Sequence, residues 1–230
     1  MREIILDTET TGLSPQDGHR LVEIGAVELF NHLPTGKTFQ IYLNPERDMP
    51  SEAEAVHGLS SAFLKDKPIF KTKAGEFIEF IEQSVLIIHN ASFDMGFINA
   101  ELKNAGLEMI GNDRVIDTLQ MARRKHPMGP NSLDALCRRY GIDNTKRTKH
   151  GALMDAELLA EVYLELIGGR QTAMSLQSEV KPKIQLTINK TNQNKIRPNP
   201  LANRLTEEEL IHHARLIAEL GAESPWSKLN

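Results

Sequence analysis

The chain contains one cysteine, one tryptophan and no long apolar run. A lone thiol, Cys137, rules out an intrachain disulfide and fits a reducing compartment. No stretch approaches the ~18 apolar residues that a membrane span needs. The first residues enter a strand pattern at once, without the basic-then-apolar layout of a signal peptide. A soluble, cytoplasmic protein without a membrane partner is therefore expected. Excess positive charge is also missing. The formal net charge is -4, which argues against a non-specific nucleic-acid coat protein but leaves room for an enzyme that grips a few nucleotides. Acidic residues in turn are absent from Val180 to Leu205, where Lys181, Lys183, Lys190, Lys195 and Arg197 mingle with Asn, Gln and Pro. That composition, with little apolar periodicity, predicts a flexible linker.

What is present is 230 residues at 40% hydrophobic composition, enough for one core and an appendage. Glu3 to Leu6 reads as a buried strand, Leu21 to Phe30 as a second and Thr38 to Leu43 as a third, with Asn31, Pro34 and Gly36 as turn chemistry between the last two. An antiparallel meander is expected. The period then changes. Ala74 to Ile81 looks helical, Val85 to Ile88 is a short buried strand, and Phe97, Ile98 and Leu102 mark a helix stopped by Gly106. Val115-Ile116 suggests a fifth strand, with Asp117 as a helix cap. Ser132 should cap a helix bearing Leu133, Leu136, Cys137 and Tyr140, and a last helix carries Leu153, Leu159, Val162, Tyr163 and Leu166 up to Gly168-Gly169. Strands followed by alternating strands and helices imply an α/β fold, a mixed five-stranded sheet flanked by helices. Residues 1–169 form the expected catalytic domain, 170–205 the linker and 206–230 a terminal segment.

The chemistry begins with Asp7 and Glu9, two acids that an apolar run delivers into an expected turn. One-residue spacing on a strand points both side chains to one face. Adjacent carboxylates repel and call for a cation, and hard oxygen donors suit magnesium or manganese. Asp94 opens the helix after the fourth strand. Asp155 opens the last helix, with His150 in the loop before it. Taken singly, Asp94 and Asp155 are ordinary first-turn acids favoured by the helix dipole, and His150 is an ordinary solvated histidine. Taken together, Asp7, Glu9, Asp94 and Asp155 can hold two divalent ions roughly 3.5–4 Å apart. One would activate a water and the other would stabilise a leaving 3′-oxygen. Asp7 is the expected bridging ligand, and His150 the group that takes the water's proton.

Asp7-x-Glu9, Asn90-x-x-Phe93-Asp94 and His150-x-x-x-x-Asp155 resemble the three motifs of the DEDDh family of 3′–5′ exonucleases. More narrowly, Leu6 to Gly12, Glu23 to Val27, Val56-His57-Gly58, Asn131 to Cys137 and His150 to Ala156 resemble the proofreading members that serve bacterial DNA polymerase III. The resemblance implies a ribonuclease H-like fold and hydrolysis of the 3′-terminal phosphodiester of single-stranded or frayed DNA. It implies metal ligation by Asp7, Glu9, Asp94 and Asp155, a general-base role for His150, and contact of Glu52 and His57 with the terminal nucleotide, with Glu54 as the alternative to Glu52. Thr10 and Leu13, beside the acid pair, and Asn90 and Phe93, beside Asp94, are candidates for the nucleotide pocket. Phe93 has core packing as its plain alternative. The same motifs occur in DEDDh enzymes that trim RNA 3′ ends, and a degenerate, noncatalytic binding module is the third reading.

Two elements of the tail suggest partners. Gln171, Met174 and Leu176 resemble a weak sliding-clamp-binding motif, a pattern short enough to arise by chance. Thr206 and Glu209 form a potential capping box for a helix with Leu210, Ala214 and Ile217 down one side and Trp226 just beyond. Tryptophan is an enriched interface anchor. The resemblance implies docking of this segment on the polymerase alpha subunit, and back-packing on the chain's own catalytic domain is the alternative.

Overall fold

The computed structural model describes residues 1–145, 147, 149–168 and 206–220. The chain divides into two units, Met1–Leu176 and Gln177–Asn230. The first is built on a five-stranded sheet in the order β3-β2-β1-β4-β5. The strands are β1 (Arg2–Thr10), β2 (Leu21–Phe30), β3 (Leu33–Tyr42), β4 (Val85–Ile88) and β5 (Val115–Asp117). β1, β2 and β3 form the expected antiparallel meander, whereas β4 joins β1 and β5 joins β4 in parallel.

Helices cover both faces. They are α1 (Ser51–His57), α2 (Ser61–Leu64), α3 (Phe70–Ile81), α4 (Ala91–Ala105), α5 (Thr118–Lys125), α6 (Leu133–Tyr140) and α7 (Ala152–Ile167). Strand alternation sorts the side chains of β1. Ile4 and Leu6 enter a core with Phe77 of α3 and Phe97 and Ile98 of α4. Ile5 enters a second core with Leu136 and Cys137 of α6 and Leu159, Val162 and Tyr163 of α7. Each such fully buried side chain contributes roughly 1.5–3 kcal/mol, so β1 is clamped from both sides. Cys137 is fully buried, and burial pushes its thiol up to about 11. It is packing, as its place on an apolar stripe predicts.

Two boundaries differ from the sequence reading. β1 runs on through Asp7 and Glu9 to Thr10, so the two acids sit in the strand itself and not in a turn. Their strand neighbours across the sheet, Gly25 and Glu23, belong to β2. β3 begins at Leu33, so Pro34 and Gly36 are strand residues. The turn is the pair Asn31 and His32, both at positive φ (50° and 66°), which matches the twist that two-residue hairpins need. β3 is an edge strand, where proline is tolerated. The caps read from sequence are present: Asp117 accepts from the amides of Leu119 and Gln120, and Ser132 from that of Ala135.

In the second unit the described residues form α8 (Glu207–Leu220), opened by the capping box: the Thr206 amide donates to Glu209 Oε2 (2.8 Å) and the Glu209 amide to Thr206 Oγ1 (3.3 Å). Leu210 is 44% exposed and Ile217 is half-buried. Gln171, Met174, Leu176 and Trp226 lie outside the described residues. No helix among the described residues is long and apolar enough to cross a membrane.

Candidate active site

The site floor is the C-terminal half of β1, where Asp7 and Glu9 share the α7-facing side of the strand. Its walls are two helix N-termini. At one, Thr8 Oγ1 donates to Asp94 Oδ1 (2.7 Å), which ties α4 to the central strand. Asn90, just before α4, holds a left-handed backbone (φ 68°), and its amide donates to Asp117 Oδ1 (3.3 Å). At the other, Asp155 is buried in the first turn of α7.

α7 is placed there by β2. Its own N-cap, Gly151, has no side chain to offer. Glu23 Oε2 instead accepts from the Ala152 amide (3.2 Å), and Gln40 Nε2 donates to Glu23 Oε1 (2.8 Å). An acid at this end of a helix is favoured by the dipole. Beside it, Gly25 leaves no room for a side chain: a Cβ would collide with the backbone of Ala152 and Leu153. The helix therefore rests directly on the strand.

Four acids converge as a result. Asp7 feels Asp94, Glu9 and Asp155, and burial first, then these three charges, raises its carboxyl well above the ordinary range. Burial, then Asp155, Glu23 and Asp94, lifts Glu9 to about 8. Burial lifts Asp94 to about 7, against the stabilising hydrogen bond from Thr8. Among the described residues Glu9 Oε1 is buried with no hydrogen-bond partner, and an unpaired buried acceptor is costly. Ligand atoms of Glu9, His150 and Asp155 lie within 4.8 Å of one another. Oxygen-rich, charge-frustrated and holding an unpartnered carboxylate oxygen, the residues fit hard divalent cations.

His150 lies in the loop before α7 with its ring 48% exposed and its Nδ1 3.3 Å from Asp155 Oδ2. Its amide donates to the Val56 carbonyl (3.2 Å), which joins that loop to α1. α1 roofs an adjoining cleft of about 550 Å³ lined by Thr10, Leu13, Glu52, His57 and Phe93. Glu52, and not Glu54, faces this cleft. His57 is buried, and its Nδ1 accepts from the Leu59 amide (3.0 Å). Burial holds this imidazole below its ordinary pKa. Phe93 both lines the cleft and packs on Phe97 at 5.1 Å between ring centroids.

One residue of the site escaped the sequence reading. Arg147 bonds both oxygens of Asp155, its Nη2 donating to Oδ2 (2.7 Å), while Nη1 donates to Asp134 Oδ1 (2.7 Å). Its partners come from α6 and α7, so no local spacing marks it. Glu23 stands in the sequence reading as a strand residue and as part of the Glu23 to Val27 stretch, without a role at α7.

A family model described as Exonuclease matches residues 4–163. The DNA polymerase III subunit epsilon of Rickettsia felis is 50% identical over 223 residues, covering 96% of this chain and 97% of that protein. The epsilon subunit of Salmonella typhimurium is 43% identical over 240 residues, covering 98% and 97%. Among solved structures, exonuclease X in complex with 5′-overhanging duplex DNA is 27% identical with a TM-score of 0.56, covering 72% of this chain and 90% of that one. The nuclease domain of 3′hExo, a DEDDh family member bound to rAMP, is 19% identical with a TM-score of 0.62 over 72% and 91%, a likeness of fold. The four converging carboxylates thus sit in a chain that belongs to the exonuclease family and, among these metal-dependent 3′–5′ exonucleases, to the bacterial DNA polymerase III epsilon subunits.

Proposed function

We propose that this enzyme hydrolyses the 3′-terminal phosphodiester of single-stranded or mispaired DNA, proofreading for a replicative polymerase. The observation that carries the reading is that Asp7, Glu9, Asp94 and Asp155 line a single cleft, together with His150. In this reading those four acids hold two divalent ions, magnesium or manganese. Bound there, the ions would supply Lewis-acid activation of a water and charge stabilisation at the leaving 3′-oxygen.

The chain's own residues do the rest. His150, half-exposed at the mouth and beside Asp155, accepts the water's proton. Thr10, Leu13, Asn90 and Phe93 enclose the terminal nucleotide, with Phe93 offering a ring face to a base. Glu52 and the His57 Nε2 provide polar contacts at the α1 side. The C-terminal segment, with Leu210, Ile217 and Trp226, docks on the polymerase alpha subunit, and Gln171, Met174 and Leu176 touch the sliding clamp. A tether of this kind raises the local concentration of nuclease at the primer end. Work at a replication fork, together with the single thiol, supports a cytoplasmic location.

Purified full-length protein with magnesium or manganese should shorten a 5′-labelled DNA oligonucleotide from its 3′ end, faster than RNA of the same sequence. Asp7→Ala and Asp155→Ala should each abolish the ladder. Full activity in either variant would sink the ligand assignment, and faster cleavage of RNA would make this an RNA-trimming enzyme.

A further inference from the structure

Arg147 is the only arginine or lysine, among the described residues, in hydrogen-bond contact with any of the four acids. Its side chain is 7% exposed and that of Asp155 is 3% exposed, so the pair is desolvated and fork-to-fork, the strong geometry for arginine and carboxylate. Nη2 has two partners at once: it lies 2.7 Å from Asp155 Oδ2 and 2.7 Å from His150 Nδ1. Glu9, His150 and Asp155 are the very residues whose donor atoms gather within 4.8 Å. A cation drawn to that gathering meets the guanidinium, which already spends both Asp155 oxygens on its own N–H groups. Two positive centres on one carboxylate in a buried site also repel strongly.

The third arm of the contact explains how the arginine can yield. Nη1 rests on Asp134 Oδ1 at the start of α6, and that carboxylate is 42% exposed. Asn144 Nδ2 donates to the same oxygen (3.1 Å), and the Arg147 amide donates to the Asn144 carbonyl (3.0 Å). The backbone of the arginine is thus tied through Asn144 to Asp134 of α6, independently of Asp155. Releasing Asp155 requires a side-chain swing about the Asp134 contact, not refolding of the loop. The same swing frees His150 Nδ1 from an N–H donor that otherwise occupies its acceptor lone pair.

We propose that Arg147 is an internal counter-cation that a divalent ion must displace from Asp155. It is a positioning residue that sets the metal affinity of the site by acting through Asp155 and His150. The proposal rests on Asp155 being a metal ligand, as the proposed function holds.

The test counts bound Mn²⁺ on the full-length chain from the loss of the free-ion electron paramagnetic resonance signal. Arg147→Gln should bind Mn²⁺ about 10–100-fold more tightly than the unsubstituted chain, the scale on which partners of ligand residues move metal affinity. Arg147→Lys, whose ammonium is a point charge that cannot grip both oxygens, should fall between. Without metal, Arg147→Gln should melt lower, because it strands a buried carboxylate, and saturating Mn²⁺ should restore it by a larger shift than in the unsubstituted chain. Equal or weaker binding by Arg147→Gln overturns the proposal. If that variant fails to fold, Arg147→Lys decides alone: tighter binding supports the proposal and unchanged or weaker binding overturns it. Asp155→Asn separates the two layers. If it binds Mn²⁺ as well as the unsubstituted chain, the ligand assignment itself falls. If it loses binding while Arg147→Gln is unchanged, only the role of Arg147 falls.

Discussion

Glu9 carries a buried carboxylate oxygen without a hydrogen bond among the described residues, and it keeps its proton up to about pH 8 in the metal-free fold. Its ordinary value is 4.5, and Asp94 moves in the same direction, from 3.8 to about 7. For acids raised by folding, the stability is fully present below the unfolded values and is lost as pH rises through the folded ones. The metal-free chain should therefore weaken between about pH 3.8 and about pH 8 on account of these two groups. A divalent ion replaces the protons, so the rise in melting temperature on adding Mn²⁺ should be larger near about pH 8.5 than near about pH 6. Equal shifts in differential scanning fluorimetry would refute this. His150→Ala tests a different atom. Removing a general base should cut the cleavage rate by roughly 10²–10⁴-fold, with Mn²⁺ binding largely kept; loss of both together would make His150 a ligand. Asp7, Glu9, Asp94, His150 and Asp155 were all legible in sequence because each sits in a short motif. Arg147 and Glu23 were not, because what matters about them is a partner on another element.

α7 is the element on which the site depends. It brings Asp155, carries His150 at its approach, and is pinned by Glu23 and by the bare backbone of Gly25. Gly25→Ala should push the helix off β2. Overpacking of this kind costs typically 1–3 kcal/mol, and a displacement of about 1 Å at Asp155 should cost on the order of 10²-fold in cleavage rate. Denaturant unfolding and oligonucleotide assays would measure both; unchanged activity would show that the helix can be seated without that contact. The far end of α7 is held by the Tyr163 hydroxyl, which donates to Glu3 Oε1 (2.9 Å), while the His32 amide donates to Oε2 (3.1 Å). Element boundaries were legible where burial and period agreed. β2 and β4 match their apolar runs end to end. β1 outruns its run because Asp7, Thr8, Glu9 and Thr10 are polar yet lie in the strand, and functional sites are where local pattern and fold part company. α5 was legible only through its cap, Asp117, and not in its span, since Thr118–Lys125 is largely polar and buries only Thr118 and Ala122.

At the scale of the whole chain, the proposed catalysis and attachment fall in separate stretches of sequence. Every residue assigned to chemistry lies between Asp7 and Asp155, and the segments assigned to partners lie beyond. A chain ending at Gly169 should retain exonuclease activity close to that of the full chain and lose co-purification with the polymerase alpha subunit. Retained co-purification would move the docking surface onto the catalytic domain. The order of the elements has a consequence for synthesis. β1 emerges first from the ribosome, but the helix that closes its site is the last of the domain, about 150 residues later. At ordinary elongation rates that gap lasts roughly 10–30 s. Throughout it the nascent chain carries Asp7 and Glu9 without Asp155, so on the proposed ligand set it could not yet cut: the cutting centre and the finished fold would arrive together.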